Sequence, residues 1–556
     1  MPAPLPAPSP AAPPASAAAS PEAPAAPPQA VLAEAPRPLV PAAVRAVAPP
    51  PALTLEFALD PAAAARLTRH PAIRGARQGR GRAVAEELIW LDSAEGELAA
   101  HDLALEATPR GARRLLRIRP EAAAPWLPGT PTAPAGDVAA GKTSETATLA
   151  HDPLVPVAAF SGRRSVLPLL TEQGPVQAEL LVGKLRTVAA ERPVARLRLA
   201  GAPPAVLALA NRLAADLSLL PPRAVLAEEG RALARGTVPR PRRHGPPDLS
   251  GAATVEAALA GAIGHLLEVM LHHASLCGPG EGPGEGPEGV HQMRVALRRL
   301  RSVLKAFRPA ARDPALDRFD DGLRRLAQLL GPARDWDVFL PGVGAAAAAA
   351  IGPDRRMAAL GRAAEARRLA AYVALRRALE GVAFRRLVLD GLGLLLERPW
   401  REGGPKTPSE EAAAQAARHA LLDGPVAGFA AVLLDRRWAK LREEGEDIAS
   451  HAPAALHEVR LEAKRLRYAA ELFAPVWPGK TARRFLKRLA ALQEELGVAN
   501  DTAVARALVA SLGAAVPAWA VGAVEGFATA QAGGARKHAL SAWEDLMLAE
   551  PFWSNA

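Results

Sequence analysis

The stretch VHQMRVALRRLRSVLKAFRP (290–309) decides the fold, because a variant of it, LHEVRLEAKRLRYAAELFAP (456–475), occurs later in the same chain. His291 and His457 lie 166 positions apart, and further identities keep that spacing. They are Arg294 and Arg460, Arg299 and Arg465, Leu300 and Leu466, Arg301 and Arg467, and Phe307 and Phe473. Because all these identities share the same offset of 166 positions, the sequence predicts a duplicated unit with an internal pseudo-two-fold arrangement.

The same offset continues downstream, where Leu330-Gly331 matches Leu496-Gly497 and Asp335 matches Asp501. From Leu249 onward, apolar residues recur at positions i, i+3, i+4 and i+7, which is typical of amphipathic helices. We therefore expect an all-α domain over 250–550, with repeats at about 250–400 and 418–550. Asp335 and Asp501 are interpreted as helix caps or as acids that orient facing arginines, not as catalytic groups.

Each repeated helix separates its charges from its apolar residues. At about 100° per residue, the basic side chains of the first copy fall within an arc of roughly 80°. They are His291, Arg294, Arg298, Arg301 and Lys305, and the second copy repeats the stripe with His457, Arg460, Lys464 and Arg467. Like charges at this spacing destabilise an isolated helix by a few tenths of a kcal/mol per pair, roughly. A bound anion would offset that repulsion; the alternative is a solvated basic face.

Composition supports a polyanionic partner and narrows its class. The net charge is +11 and the pI is near 10.4, although arginine, alanine, proline and glycine codons are GC-rich and part of the bias has that origin. Arginine suits phosphate because its planar guanidinium offers several donors. Only 4% of residues are aromatic, which disfavours base-stacking platforms and makes nucleic acid the weaker candidate.

The paired signatures H-x-x-R-x-x-x-K/R-R-L-R at His291 and His457 resemble the CHAD family, the conserved-histidine α-helical domain. The segments L-G-x-x-R-D (330–335) and L-G-x-x-N-D (496–501) extend the resemblance over roughly 250–550. It implies two helical bundles around a basic groove that binds inorganic polyphosphate, with association with polyphosphate granules. The implied polyphosphate-binding residues are His291, Arg294, Arg298, Arg299, Arg301, Lys305, His457, Arg460, Lys464, Arg465 and Arg467.

Residues 52–236 predict an α+β domain with an antiparallel sheet. The strand candidates are LTLEFAL (53–59), ELIWL (87–91), RRLLRIR (113–119), QAELLV (177–182) and ARLRLA (195–200), and a helix is predicted from Pro204 to about Leu219. Residues 1–50 are Pro/Ala-rich and predict a disordered arm. The Pro-rich segment 237–249 predicts a linker between the two domains.

The 52–236 segment resembles a degenerate CYTH domain, the triphosphate-tunnel fold. In that comparison the opening E-x-E-x-K motif falls on Ala52, Thr54 and Glu56, so its acids and its lysine are missing. Arg196 and Arg198 stand where the resemblance would place metal-binding glutamates. A triphosphatase needs carboxylates for its metal. We therefore expect a non-catalytic domain with neither metal nor cofactor; a CYTH-type metal-dependent triphosphatase is the alternative.

Three other motifs are weak evidence for a functional site. GDVAAGKT (136–143) satisfies the P-loop expression, but the preceding PEAAAPWLPGTPTAPA (120–135) cannot form the required buried strand. HEVRLE (457–462) lacks the second histidine of a zincin helix. His265, His272 and His273 share a helix without supporting carboxylate or thiolate spacing, so packing or surface roles are expected.

Location is inferred from what the sequence lacks. The N-terminal stretch has no positively charged segment before its apolar residues, so no secretory signal is expected. The run Ala345–Ile351 is too short to cross a bilayer, and the single cysteine, Cys277, fits a reducing compartment. We expect a cytoplasmic protein with no membrane partner, with polyphosphate granules as one expected location.

Overall fold

The computed structural model describes residues 53–117, 137–138, 153–240, 243–278, 286–402, 408–531 and 535–554. Within these ranges an antiparallel sheet domain precedes a helical domain, as the sequence predicts. The predicted arm (1–50) lies outside the described residues, and so does the P-loop-like segment apart from Asp137 and Val138.

The N-terminal domain is built on a nine-stranded sheet with the order β5-β4-β3-β2-β6-β7-β8-β1-β9, in which every pair is antiparallel. The strands are β1 Leu53–Leu59, β2 Arg82–Asp92, β3 Leu103–Ala107, β4 Arg113–Arg117, β5 Asp137–Val138, β6 Val155–Thr171, β7 Gly174–Arg186, β8 Glu191–Gly201 and β9 Leu219–Leu220. In the described part of this domain the helices are α1 Pro61–Leu67, α2 Pro71–Ala76, α3 Glu97–Ala100, α4 Pro203–Asp216 and α5 Leu226–Ala234.

Alternation of apolar and polar residues sets the two faces of this sheet. In β1, Leu55, Phe57 and Leu59 are buried, while Glu56 points to the opposite face. α4 shares that apolar core through Leu209 and the fully buried Leu213. The α+β antiparallel class is thereby confirmed, whereas the likeness to a tunnel fold remains a prediction.

The strand predictions hold for β1, β2, β7 and β8, and for β4 as far as the described residues reach, but β3, β5, β6, β9 and the end of one helix were not predicted. The helix predicted to run to about Leu219 ends at Asp216, because Leu219 and Leu220 pair with β1 as strand β9. The long strand β6 was not among the predicted strands. It contains Pro156, Pro168 and Gly162, which usually interrupt strands, yet it pairs along most of its length with β2 and β7.

The C-terminal domain is helical throughout its described part. Its helices are α6 Val255–Ala274, α7 Pro287–Phe307, α8 Pro314–Phe339, α9 Ala345–Ile351, α10 Arg355–Glu380, α11 Val382–Glu397, α12 Pro408–Asp423, α13 Val426–Glu444, α14 Pro453–Phe473, α15 Lys480–Glu495, α16 Val498–Ser511, α17 Ala518–Gln531 and α18 Ala535–Met547. A π-helical turn (340–344) joins α8 to α9.

The duplication in sequence is a duplication in structure. α7 and α14 each contain 21 residues, and both their first and last residues are 166 positions apart. α8 and α15 also start at this offset. The copies then diverge, because α8 continues to Phe339 whereas the second copy breaks at Gly497 into α15 and α16.

The two domains share one hydrophobic core. A continuous cluster of buried residues runs from the sheet through α4 into the helices that follow. Arg385 of α11 ties the domains further, since its Nε donates to the carbonyl oxygen of Ala214 at 2.8 Å. α6 has the length and apolar composition of a membrane span, but 72% of its most apolar window is buried inside the protein, so that feature is weak support for a membrane role.

An aromatic cluster holds α7 and α14 together. The ring of Phe307 lies 5.7 Å from that of Phe473 and 5.3 Å from that of Phe429 on α13, and the rings of Phe429 and Phe473 are 6.4 Å apart. Phe307 and Phe473 are almost fully buried. The equivalent phenylalanines of the two copies thus meet across the pseudo-two-fold.

We expect Phe307→Ala to lower the free energy of unfolding by about 3–5 kcal/mol, because it removes a buried ring and leaves a cavity. Phe473→Ala should behave alike, and the double variant should be less destabilised than the sum of the two, since the rings touch. Denaturant unfolding followed by tryptophan fluorescence measures this. Val373→Ala, at an exposed site, is the control; equal stability of Phe307→Ala and Val373→Ala would contradict the packing assigned to Phe307.

Candidate functional site

α7 anchors itself by one face and displays cations on the other. Met293, Leu297 and Leu300 are fully buried, whereas Arg294, Arg298 and Lys305 are exposed. The helix begins at Pro287, whose ring suits a first helical position. It ends at Phe307, two residues before Pro309, which cannot continue the backbone hydrogen-bond pattern. The amphipathic arrangement predicted from the sequence is confirmed for this helix.

α14 repeats this arrangement, but two of its basic side chains are more buried than their equivalents on α7. Val459, Ala463 and Leu466 are fully buried, His457 is exposed, and Lys464 and Arg467 are half-buried. Arg460 departs from the predicted display, since only 8% of its surface is exposed. Packing around the second copy therefore covers a side chain that the helical projection alone places on the open stripe.

The two basic helices cross each other with reciprocal contacts. The charge of Glu471 acts on Arg299, and the charge of Arg465 acts on Lys305. These are the same pair of positions with the copies exchanged, because Arg299 corresponds to Arg465 and Lys305 to Glu471. Such reciprocity is what a two-fold relation produces. The predicted pseudo-two-fold therefore passes through the crossing of α7 and α14.

Cations of both helices converge at this crossing. The charges of Arg294 and Arg298 act on Lys464, and the guanidinium of Arg298 lies 4.6 Å from the ring centroid of Tyr468. Burial, and then the neighbouring Arg460 and Arg298, lower the pKa of Lys464 to about 8. Among the described residues, no ion pair neutralises Arg294, Arg298 or Lys464. The crossing therefore concentrates positive charge, and Asp335 and Asp501 offset part of it.

Three other predicted cations are already engaged. Arg301 donates to both carboxylate oxygens of Asp320, at 2.7 and 3.3 Å. Arg467 contacts Glu471 at 2.7 Å, and Arg465 pairs with Glu462. Burial also lowers the pKa of Arg299, which remains an arginine charged at any physiological pH. Arg301, Arg465 and Arg467 thus border the crossing with their charge partly satisfied.

The two histidines differ in their surroundings. His291 is half-buried, and burial together with the charge of Arg334 lowers its pKa below the ordinary 6.5. It is therefore neutral at pH 7 and offers one N–H to a ligand. His457 is exposed to solvent. An anion bound beside His291 would favour its protonated form.

The sequence analysis assigned no role to Arg334 or Tyr468, two residues that contribute to the site. Arg334 acts on His291, and Asp335 acts on Arg294, although the L-G-x-x-R-D motif was the signal that marked both. Asp501 lies in the first turn of α16 and its charge acts on Arg460 and Lys464. The interpretation of Asp335 and Asp501 as acids near facing cations fits these positions. Tyr468 carried no sequence signal, because its counterpart in the first copy is Ser302.

The CHAD family model matches residues 261–510, the region that contains both basic helices. The crystal structure of the CHAD domain from the plant Ricinus communis is 31% identical in sequence, covers 56% of this chain and 98% of its own, and has a TM-score of 0.44. The chain belongs to the CHAD family. A structure of PptA from Streptomyces chartreusis is 18% identical, covers 53% of this chain and 100% of its own, and has a TM-score of 0.39. No curated protein matches the chain.

Outside its basic helices, the CHAD domain keeps its α6 histidines in packing positions. His265 contacts the Gly245 carbonyl oxygen at 3.3 Å, and His272 is buried edge-on against His273 with 5.0 Å between ring centroids. Over the described ranges, no group of three or more histidines, cysteines or carboxylates is placed to hold a metal ion. These positions agree with the packing roles expected for the three histidines.

The polar face of the sheet domain that precedes the CHAD domain is a network of arginines and glutamates. Glu56 lies 3.6 Å from Arg196 and 3.1 Å from Arg198. Arg196 is buried and also pairs with Glu229 at 2.5 Å. Glu179 contacts Arg198 more loosely, at 3.8 Å. Arg196 and Arg198 therefore form ion pairs with the carboxylates of Glu56, Glu179 and Glu229.

We expect Lys464 to titrate with a midpoint near pH 8, well below exposed lysines. The rate of acylation of each lysine across pH, read by peptide mapping, measures this. Lys440 is the internal control, because hydrogen bonds to Glu444 and Glu443 raise its pKa. Arg298→Ala removes one nearby charge and should move the midpoint of Lys464 upward. A Lys464 that reacts in step with Lys440 would contradict the convergence of cations at the crossing.

Proposed function

We propose that the CHAD domain binds inorganic polyphosphate at the crossing of α7 and α14. The observation that carries the proposal is the convergence of Arg294, Arg298 and Lys464, from two helices, none of which forms an ion pair among the described residues. Holding like charges together costs free energy that a bound anion would recover. A chain of phosphates is the simplest ligand that can meet several such cations in succession.

The chemistry of the cations suits phosphoryl oxygens. Arginine donates several hydrogen bonds in a fixed plane, and Lys464 supplies a compact charge that an anion would stabilise in its protonated form. Neutral His291 adds one further donor and gains charge if a phosphate raises its pKa. Because Lys464 titrates near pH 8 without ligand, affinity should be highest below that pH and should fall as the pH rises through it.

Nucleic acid is the competing polyanion. Single-stranded nucleic acid is usually bound by stacking bases on aromatic rings. At the crossing, Tyr468 is the aromatic side chain that faces the cations, and the guanidinium of Arg298 already covers its ring. This arrangement favours a ligand without bases, and competition of polyphosphate with RNA and DNA separates the two.

Replacing His291, Arg294 and Arg298 with alanine should weaken binding of long-chain polyphosphate much more than binding of tripolyphosphate, because a long chain contacts both helices and gains from their linkage. The salt dependence should become shallower by about one unit for each phosphate that the variant no longer neutralises, by analogy with nucleic acid. The triple change at His457, Arg460 and Lys464 should act similarly. Isothermal titration at several salt concentrations measures both effects.

A matched control removes Arg362, Arg376 and Arg377, three exposed arginines on α10, which packs away from the crossing. This variant should bind long-chain polyphosphate like wild type. If a folded His291/Arg294/Arg298 variant also binds like wild type, the site lies elsewhere and the basic stripes are solvated faces.

We further propose that the sheet domain is non-catalytic and that the protein acts as a cytoplasmic binding module, associated with polyphosphate granules. The support is the Glu56–Arg196–Arg198 network, in which arginines take the places where carboxylates would hold a metal. The full-length chain should release no phosphate from tripolyphosphate above background with Mg²⁺ or Mn²⁺. Metal-dependent release that disappears in Glu56→Gln would establish the triphosphatase alternative instead.

A further inference from the structure

A cavity of about 760 Å³ lies between the C-terminal end of α7 and α13. Its volume is within the range of ordinary ligand pockets. Six cations and one acid line it, together with Pro309, Leu433 and Ala439; the charged residues are Lys305, Arg308, Arg312, Arg436, Arg437, Lys440 and Glu443. The basic stripes predicted from the sequence lie on α7 and α14, whereas this cavity is lined by the end of α7, the loop after it and α13. The cavity is therefore distinct from the crossing.

Part of this charge is balanced locally and part is not. Lys440 pairs with Glu443 at 3.1 Å and Glu444 at 2.8 Å, and Arg437 lies 3.9 Å from Glu462. Arg308 is 3.6 Å from the exposed Asp317. Within the described part of the chain, Lys305, Arg312 and Arg436 have no ion pair. The cavity therefore retains a positive excess.

Lys305 links the cavity to the crossing. It is the last cation of the first stripe, and it is also part of the cavity wall. The charges of Arg465 on α14 and Arg437 on α13 both act on it. Lys305 lies seven residues beyond Arg298, a distance of about 10 Å along the helix. Lys305 thus lies between the crossing and the cavity, and Asp320, which pairs with Arg301, offsets part of its charge.

The duplicated half has no counterpart to the α7 side of this cavity. The loop after α7 and the loop after α14 have the same length, so equivalent positions are assigned directly. Lys305 corresponds to Glu471, Arg308 to Ala474 and Arg312 to Pro478. A composition biased toward arginine would place basic residues in both halves. The one-sided distribution indicates that the cavity has a role of its own.

We infer that this cavity is a second phosphate-binding pocket, which receives the part of a condensed phosphate chain that extends beyond the helix crossing. The inference rests on the proposed polyphosphate binding and adds the direction in which the bound phosphate chain extends. A chain held at the crossing is drawn toward the α7–α13 side by the cavity, whereas the α14 side has Glu471, paired with Arg467, in place of Lys305. The two ends of the binding site therefore differ in charge, although the two helices that cross in it are related by the pseudo-two-fold.

The test compares affinity as a function of phosphate chain length for wild type and for Arg308→Ala/Arg312→Ala/Arg436→Ala. All three side chains are exposed, so folding should survive. Wild-type affinity should rise with chain length until the chain reaches the cavity. The variant should stop gaining affinity at a shorter chain length, and its salt dependence with long chains should fall by up to about three units.

The arginine-depleted α10 variant, with Arg362, Arg376 and Arg377 replaced by alanine, is the control and should follow the wild-type curve. If the cavity variant follows the wild-type curve as well, while the crossing variant binds more weakly, the inference is wrong and the proposed function stands. If wild type does not bind polyphosphate of any length, the proposed function itself is wrong. A wild-type affinity that does not change with chain length also contradicts a second pocket.

Discussion

Electrostatic repulsion at the crossing of α7 and α14 is the constraint that the surrounding helical structure has to overcome. Arg294, Arg298 and Lys464 are brought together by helices whose apolar faces are fully buried, and by phenylalanines that meet at their C-terminal ends. Burial of one large apolar side chain contributes about 1.5–3 kcal/mol, and the two helices bury several such side chains. Burial of the apolar faces can therefore keep the two helices together despite the repulsion between their cations.

The acids around the crossing reduce this repulsion unevenly. Asp320 and Glu471 take up Arg301 and Arg467 at its edge, while Asp335 and Asp501 act on the cations from α8 and α16 without pairing closely with Arg294 or Lys464. As a result, charge density is highest where the two copies meet. An anionic ligand can bind these cations without first breaking an ion pair within the protein.

Much of this arrangement could be predicted from sequence, because a repeat carries its own register. The 166-residue offset located α7 and α14 and matched their equivalent positions, and helical projection placed Met293, Leu297 and Leu300 in the core. It could not reveal that Arg460 is covered, since its neighbours are distant in sequence. The short strand β9 was missed for a related reason: Leu219 and Leu220 continue the apolar pattern of α4, and their pairing with β1 decides their conformation. Periodicity describes one element at a time, whereas these outcomes depend on tertiary partners.

The core shared by the sheet and the helices bears on how the two domains depend on each other. Leu209 and Leu213 of α4 pack into the same cluster as the helical domain, and Arg385 of α11 binds the end of that helix. Deleting the sheet domain would expose this apolar surface to water, which would lower both the stability and the solubility of the helical domain. The sheet domain therefore supports the helical domain through its core, independently of the chemistry of its polar face. The chain is expected to behave as one cooperative unit across its domain boundary.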